Sequence, residues 1–221
     1  MNRLFGFGLG KCCDCACCGG GACECVPFVE SWNTTTEWSF DGPVTTSGGA
    51  VSSTDGAIRV GERPTGCVFN IVSELDPNAG AIDGGAQIVI LSPNGALFIS
   101  ATWRVAETSW RWFYAWNTPG DGIGQTEVFP SNPDEAHGVR LQYNQAGEWS
   151  LSITGLVEIT TGTDFSSISG LAVQVFGDGA VEAIVADCEQ YVPDPLYGIW
   201  LTQDNQPWLT QDNQPWLMQY A

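Results

Sequence analysis

Seven cysteines fall within fourteen residues near the N-terminus: Cys12, Cys13, Cys15, Cys17, Cys18, Cys23 and Cys25. A short glycine-flanked segment has no core in which to bury thiols, so this density is placed for metal ligation or for cross-linking. Thiolates take soft or borderline ions, and seven exceed the four that a tetrahedral zinc site needs. Zinc in a polynuclear site or an iron–sulfur cluster is therefore one expectation, and inter-subunit disulfides are the other. Adjacent residues such as Cys12 and Cys13 point in different directions on an extended chain, which suits bonds to different neighbours under either chemistry. Cys67 and Cys188 stand apart in strand-like runs; they are candidates for a disulfide with each other, or else for two buried reduced thiols.

Trp110, Trp112, Tyr114 and Trp116 alternate, so their rings share one face of a strand. Rings repeating every ~6.6 Å could stack on successive sugar rings or form a subunit interface. The competing reading is a stripe turned to the core, where large aromatics normally lie. Glu74-Leu75-Asp76 is the one hint of paired carboxylates. Pro77 follows and no second Glu is in reach along the chain, so the two carboxyl groups that glycoside hydrolysis needs are not supplied locally. His137 is the sole histidine and has no nucleophile beside it, and the expectation is a protein without enzymatic activity. Calcium is a weaker expectation: Asp121, Asp134, Glu135 and Asp178 lie in turn-like stretches, where such residues are common without a metal. Asn33-Thr34-Thr35 matches a glycosylation sequon and carries little weight without an export signal.

The C-terminus holds an eight-residue unit, Trp-Leu-Thr-Gln-Asp-Asn-Gln-Pro, that starts at Trp200, repeats at Trp208 and begins again at Trp216. Four alternating residues and a turn make one strand of a small meander, too little to be stable as a single copy. Three tryptophans at matching positions are costly to leave in water, so they are expected to form an oligomer interface, most simply in a homotrimer.

The 221 residues include seven basic and twenty-five acidic side chains, a formal charge of −18. Phosphate-backbone binding needs basic clusters, so nucleic acid is not expected as a partner. The apolar runs are too short to insert in a membrane. Met1 to Gly10 is too short for a signal peptide, which points to synthesis in a reducing cytoplasm and favours metal over disulfides at the arm.

The elements between the two ends are short strands parted by Gly, Pro and Asn turns. Ser92-Pro93-Asn94-Gly95 and Asn144-Gln145-Ala146-Gly147 are hairpin signals, and no helical periodicity of useful length occurs. About a dozen such strands give an all-β fold, an antiparallel β-sandwich or jelly roll. Three parts are expected: a Cys-rich anchoring arm over 1–25, a sandwich over 26–192 and a Trp-repeat tail over 193–221.

The run His137 to Gly155 resembles the central hairpin of concanavalin-like, laminin-G-like jelly rolls, and Val181 to Cys188 resembles their closing strand. That resemblance implies glycan or protein binding. The C-terminal repeat is similar to the short tandem endings of tailed-phage structural proteins, with Gln203 and Asn205 in place of the usual Glu and Gly. Together they imply a non-enzymatic virion protein with a lectin-like domain: a tail fibre, receptor-binding or capsid-decoration component. Its partners would be copies of itself, other virion proteins and a host surface glycan. A bacterial surface or secreted carbohydrate-binding module, and a cytoplasmic metal-binding protein, are the other readings.

Overall fold

A computed structural model describes residues 25–65, 67–78, 83–104, 109–128, 135–165 and 168–193. The six cysteines from Cys12 to Cys23 and the repeats from Trp200 onward lie outside the described residues. Among those described, two sheets and no helix are found. The nine-stranded sheet runs β13 (Val157–Gly162), β12 (Trp149–Ile153), β11 (His137–Tyr143), β6 (Asn70–Asp76), β15 (Ala180–Val181), β4 (Ala50–Ser53) and β3 (Val44–Ser47). In the same sheet β16 (Ile184–Asp187) also pairs with β6, and β1 (Phe28–Glu30) pairs with β16. The seven-stranded sheet runs β10 (Gly122–Val128), β9 (Ser109–Thr118), β8 (Gly95–Arg104), β7 (Gly84–Ser92), β14 (Gly170–Phe176), β5 (Arg59–Arg63) and β2 (Ser39–Phe40). All pairings between these strands are antiparallel, as expected for an antiparallel β-sandwich.

Period-two alternation of apolar residues decides which face of each strand is buried. Ile88 and Ile90 on β7, Leu97 and Ile99 on β8, and Val173 and Val175 on β14 meet Val139, Leu141, Leu151 and Ile153 from the facing sheet. Both sequence-predicted hairpins form. Ser92 pairs with Gly95 across the first. In the second, the Asn144 side chain accepts backbone N–H bonds from Ala146 at 2.9 Å and Glu148 at 3.1 Å. Gly147 takes φ +87° there, a conformation that costs glycine nothing.

One cysteine assignment is corrected. Cys188 is joined to Cys25, not to Cys67, with Cα atoms 5.8 Å apart. The reason is topological: β1 and β16 are antiparallel neighbours, so Cys25, three residues before β1, meets Cys188, the residue after β16. Cys67 is also disulfide-bonded, and its carbonyl accepts the Val26 N–H at 2.9 Å. Cys25 is thereby withdrawn from the expected set of metal-binding thiolates.

Beside this clasp, Glu30 is buried and fully engaged. Its carboxylate accepts bonds from the Trp32 N–H at 2.9 Å and Trp38 Nε1 at 2.8 Å, and pairs with Arg63 at 3.3 Å. The Arg63 guanidinium also lies 4.0 Å from the Phe28 ring centroid. This network ties β1 and the segment after it to β5 of the other sheet.

Candidate functional site

The outward face of the seven-stranded sheet carries side chains in rows fixed by strand register. One row runs Val60, Gln174, Gln87, Ser100, Phe113 and Glu127 across β5, β14, β7, β8, β9 and β10. The next runs Glu62, Ala172, Val89, Phe98, Ala115 and Gln125. On the other side, Phe176, Gly85, Thr102 and Arg111 are aligned.

Burial gives this face its shape. Ser100 and Thr102 at the centre are only 5% and 7% exposed, whereas Glu62, Gln125 and Glu127 at the ends are exposed. The centre of the face is covered by its neighbours, whereas its ends reach solvent. Phe98 and Phe113 meet edge to face with centroids 5.8 Å apart, and both are half-buried. Small residues leave the floor open; at Gly85 a Cβ would lie 2.6 Å from the Phe176 ring, so that ring can settle on the backbone.

Among the described residues, no side-chain hydrogen bond engages Gln87, Gln174, Ser100 or Thr102. Each amide offers two donors and an acceptor, and each hydroxyl can do both. Two half-buried amides and two buried hydroxyls without side-chain partners, next to aromatic faces, suit a polyhydroxylated ligand that supplies hydrogen bonds and C–H faces together.

The opposite face, on the nine-stranded sheet, is built differently. Its shallow depression is lined by Asn70, Val72, Gly138, Arg140, Ser152, Thr154, Asp187 and Glu189. Arg140 is already held by Asn70 at 2.7 Å and Glu189 at 3.0 Å, and Asn70 donates to Asp187 at 3.0 Å. A charge network satisfied from within offers a ligand less than the unbonded amides do.

This sheet also brings a distant carboxylate, Glu182, to the Glu74 and Asp76 pair. The Glu182 N–H bonds to the Glu74 carbonyl at 2.9 Å. Burial pushes the Glu182 carboxyl above its ordinary value, and the charges of Glu74 and Asp76 push it further. Linear spacing hid this neighbour of Glu74-Leu75-Asp76, since Glu182 comes from the distant segment between β15 and β16. Among the described residues no three metal-ligating side chains are grouped to hold an ion.

The aromatic stripe is not a platform. Trp112 and Tyr114 are buried, Trp116 is half-buried, and all three turn to the facing sheet. Trp112 meets His137 edge to face at 5.0 Å, and Trp116 lies 5.5 Å from Trp149. The Trp110 side chain lies outside what the structure describes. The face opposite the stripe, bearing Phe113, is the exposed one; apolar alternation marks two faces but not which of them meets a second sheet.

His137 opens β11, with Nδ1 2.9 Å from the Thr154 carbonyl. Of the calcium candidates, Asp121 already accepts bonds from the Thr118 hydroxyl, Trp149 Nε1 and the Thr163 N–H. Asp178 and Glu135 are exposed, and Asp134 lies outside the described residues. Asn33 is exposed and donates to the Ser31 hydroxyl at 2.7 Å.

No family model and no curated protein matches the chain. Solved structures do. The CBM2 module of the evolved Dit of Lactobacillus casei BL23 phage J-1 superposes with a TM-score of 0.53 at 13% identity, over 74% of this chain and 96% of the module. A β-glucanase of Bacillus licheniformis gives 0.53 at 9% identity, over 74% of this chain and 98% of the enzyme. A laminarinase of Flavobacterium sp. UMI-01 gives 0.54 at 10% identity, over 72% of this chain and 98% of the other. The fold is thus that of carbohydrate-binding and glycoside-hydrolase-like β-sandwiches. The expectation of a chain without enzymatic activity is corrected here, because most of these neighbours are glycoside-acting enzymes and the architecture is one that hosts such chemistry.

Proposed function

We propose that the chain is a phage virion component that binds glycan through the outward face of the seven-stranded sheet, as part of a tail fibre, receptor-binding or decoration protein. The row of unbonded Gln174, Gln87 and Ser100 leading to Phe113 and Phe98 carries this reading. With strands about 4.8 Å apart, Gln174 to Phe113 spans roughly 14 Å along the sheet, enough for two or three sugar rings. The phage module among the structural neighbours supports the setting. The residues up to 24 then serve as the arm attached to the particle, and the Trp repeat packs against other chains.

Titration calorimetry with a panel of neutral oligosaccharides tests the site. Phe113→Ala and Gln87→Ala are each expected to weaken binding about tenfold, the cost of one aromatic contact or one ligand hydrogen bond. Binding unchanged in both variants overturns it. Recovery of the chain in purified particles separates a virion component from a secreted module.

A second reading is favoured by Glu182. Burial and the charges of Glu74 and Asp76 push its carboxyl upward, the direction that keeps a proton-donating carboxyl of a glycoside-cleaving site protonated. Glu62 and Glu127 cannot serve as such a pair, since five strand spacings, about 24 Å along the sheet, separate them. Hydrolysis of a bound oligosaccharide by the native chain, abolished in Glu182→Gln, would establish this activity.

A further inference from the structure

We infer that the Phe113 end of the proposed glycan face takes a sugar carrying a free amino group, held as its ammonium by Glu127. The inference rests on that glycan reading and names the class of sugar the face selects. Ser100, Phe113 and Glu127 stand directly opposite one another on β8, β9 and β10. Across two strand spacings they present a hydroxyl, an aromatic ring and a carboxylate within roughly 10 Å. Ser100 is 5% exposed, and its hydroxyl has no hydrogen-bond partner among the described residues. Phe113 is half-buried, with its ring set edge to face against Phe98, so part of it stays open. Glu127 is exposed, and among the described residues its carboxylate meets no arginine and accepts no hydrogen bond.

Charge decides between sugars. Arg59, Arg63 and Arg140 are committed to Asp55, Glu30 and Glu189. Arg111, two residues before Phe113 on the same face, has a partner of its own. An anionic sugar would meet Glu127 on a chain of formal charge −18 and be repelled. A neutral hydroxyl can donate to the Glu127 carboxylate but leaves its charge uncompensated. An ammonium supplies both the hydrogens and the opposite charge, and charge makes such bonds shorter and stronger. Beside Phe113 it also lies near an aromatic ring, whose face attracts cations. The Ser100 hydroxyl, one strand further along, is left to exchange hydrogen bonds with a sugar hydroxyl. Glu62 is the comparison. It too is exposed and without a partner among the described residues, but its register neighbour on β14 is Ala172 rather than an aromatic ring. Five strand spacings, about 24 Å, separate it from Glu127.

The test uses cellotetraose, the glucosamine tetramer and the N-acetylglucosamine tetramer, which share one linkage and differ at a single ring position. Titration calorimetry of the full 221-residue chain is run at about pH 6, where an amine carries its proton and a carboxylate does not. The glucosamine tetramer is expected to bind about fivefold tighter than the other two, near the upper limit for an exposed ion pair. Raising the salt to about 0.5 M should remove most of that preference. Glu127→Gln is expected to abolish the preference while leaving cellotetraose binding within about twofold. Glu62→Gln removes the same charge at the far end of the face and is expected to keep the preference. Both replace exposed side chains by isosteres, so melting temperatures should not change. Equal binding of the three tetramers, a preference that survives Glu127→Gln, or one lost equally in Glu62→Gln overturns the inference. The glycan reading still stands in those cases if cellotetraose binding depends on Phe113. Binding by none of the tetramers overturns the inference too, and the panel of neutral oligosaccharides then decides the glycan reading on its own.

Discussion

Cys25 and Cys188 are joined although 163 residues separate them, and their bond closes the first strand of the sandwich onto the last. β1 has three residues and, among the described residues, pairs with β16 alone, so its backbone bonds hold it weakly. In the loop-entropy account, closing a loop of that length removes about 5 kcal/mol of entropy from the unfolded chain.

Loss of this bond is accordingly expected to be expensive. The Cys25→Ser, Cys188→Ser double variant should lose about 2–5 kcal/mol of unfolding free energy by denaturant titration. An unchanged midpoint and slope would mean that the clasp restrains nothing.

Glu30 predicts a loss of another kind. Glu30→Ala leaves the Arg63 guanidinium and the Trp38 indole N–H in a buried site without their acceptor. Breaking a buried pair in this way costs about 3–5 kcal/mol. Adding Arg63→Met to Glu30→Ala should recover part of that loss, since an apolar side chain needs no acceptor. Equal stability of the single and double variants would refute the account.

Glu182 sets the sign of a pH effect. Its carboxyl is raised in the folded protein above the ordinary 4.5, so the folded state holds the proton more tightly than the unfolded chain. Stability from this group is present below 4.5 and is lost as pH rises through the raised value. Glu182→Gln should therefore stabilise the protein at neutral pH by at most about 1 kcal/mol, given solvent screening. The gain should vanish on acidification; one that grew instead would show that burial and the neighbouring charges act in the opposite sense.

Trp112 distinguishes core from binding surface. Trp112→Ala should cost about 3–5 kcal/mol, as expected for a large buried ring. Phe113→Ala, next to it on the other face, should cost far less stability and more affinity. Reversed costs would return the stripe to the surface.

Strand content, both hairpins and the sandwich class were legible because they depend on local alternation and turn residues. Val139-Arg140-Leu141 reads as a strand wherever it is placed, and Asn144 bonds its own neighbours. Three things were not legible. Alternation shows that Trp112 and Phe113 face opposite ways, but only the docking of the second sheet makes one core and the other surface. Cys188 could have met any cysteine until β16 was laid between β1 and β6. Glu182 stands more than a hundred residues from Glu74, and only the crossover that sets β15 and the segment after it beside β6 brings their charges together. In each case the deciding contact spans the chain, and a sequence holds local preference without stating which distant partner will satisfy it.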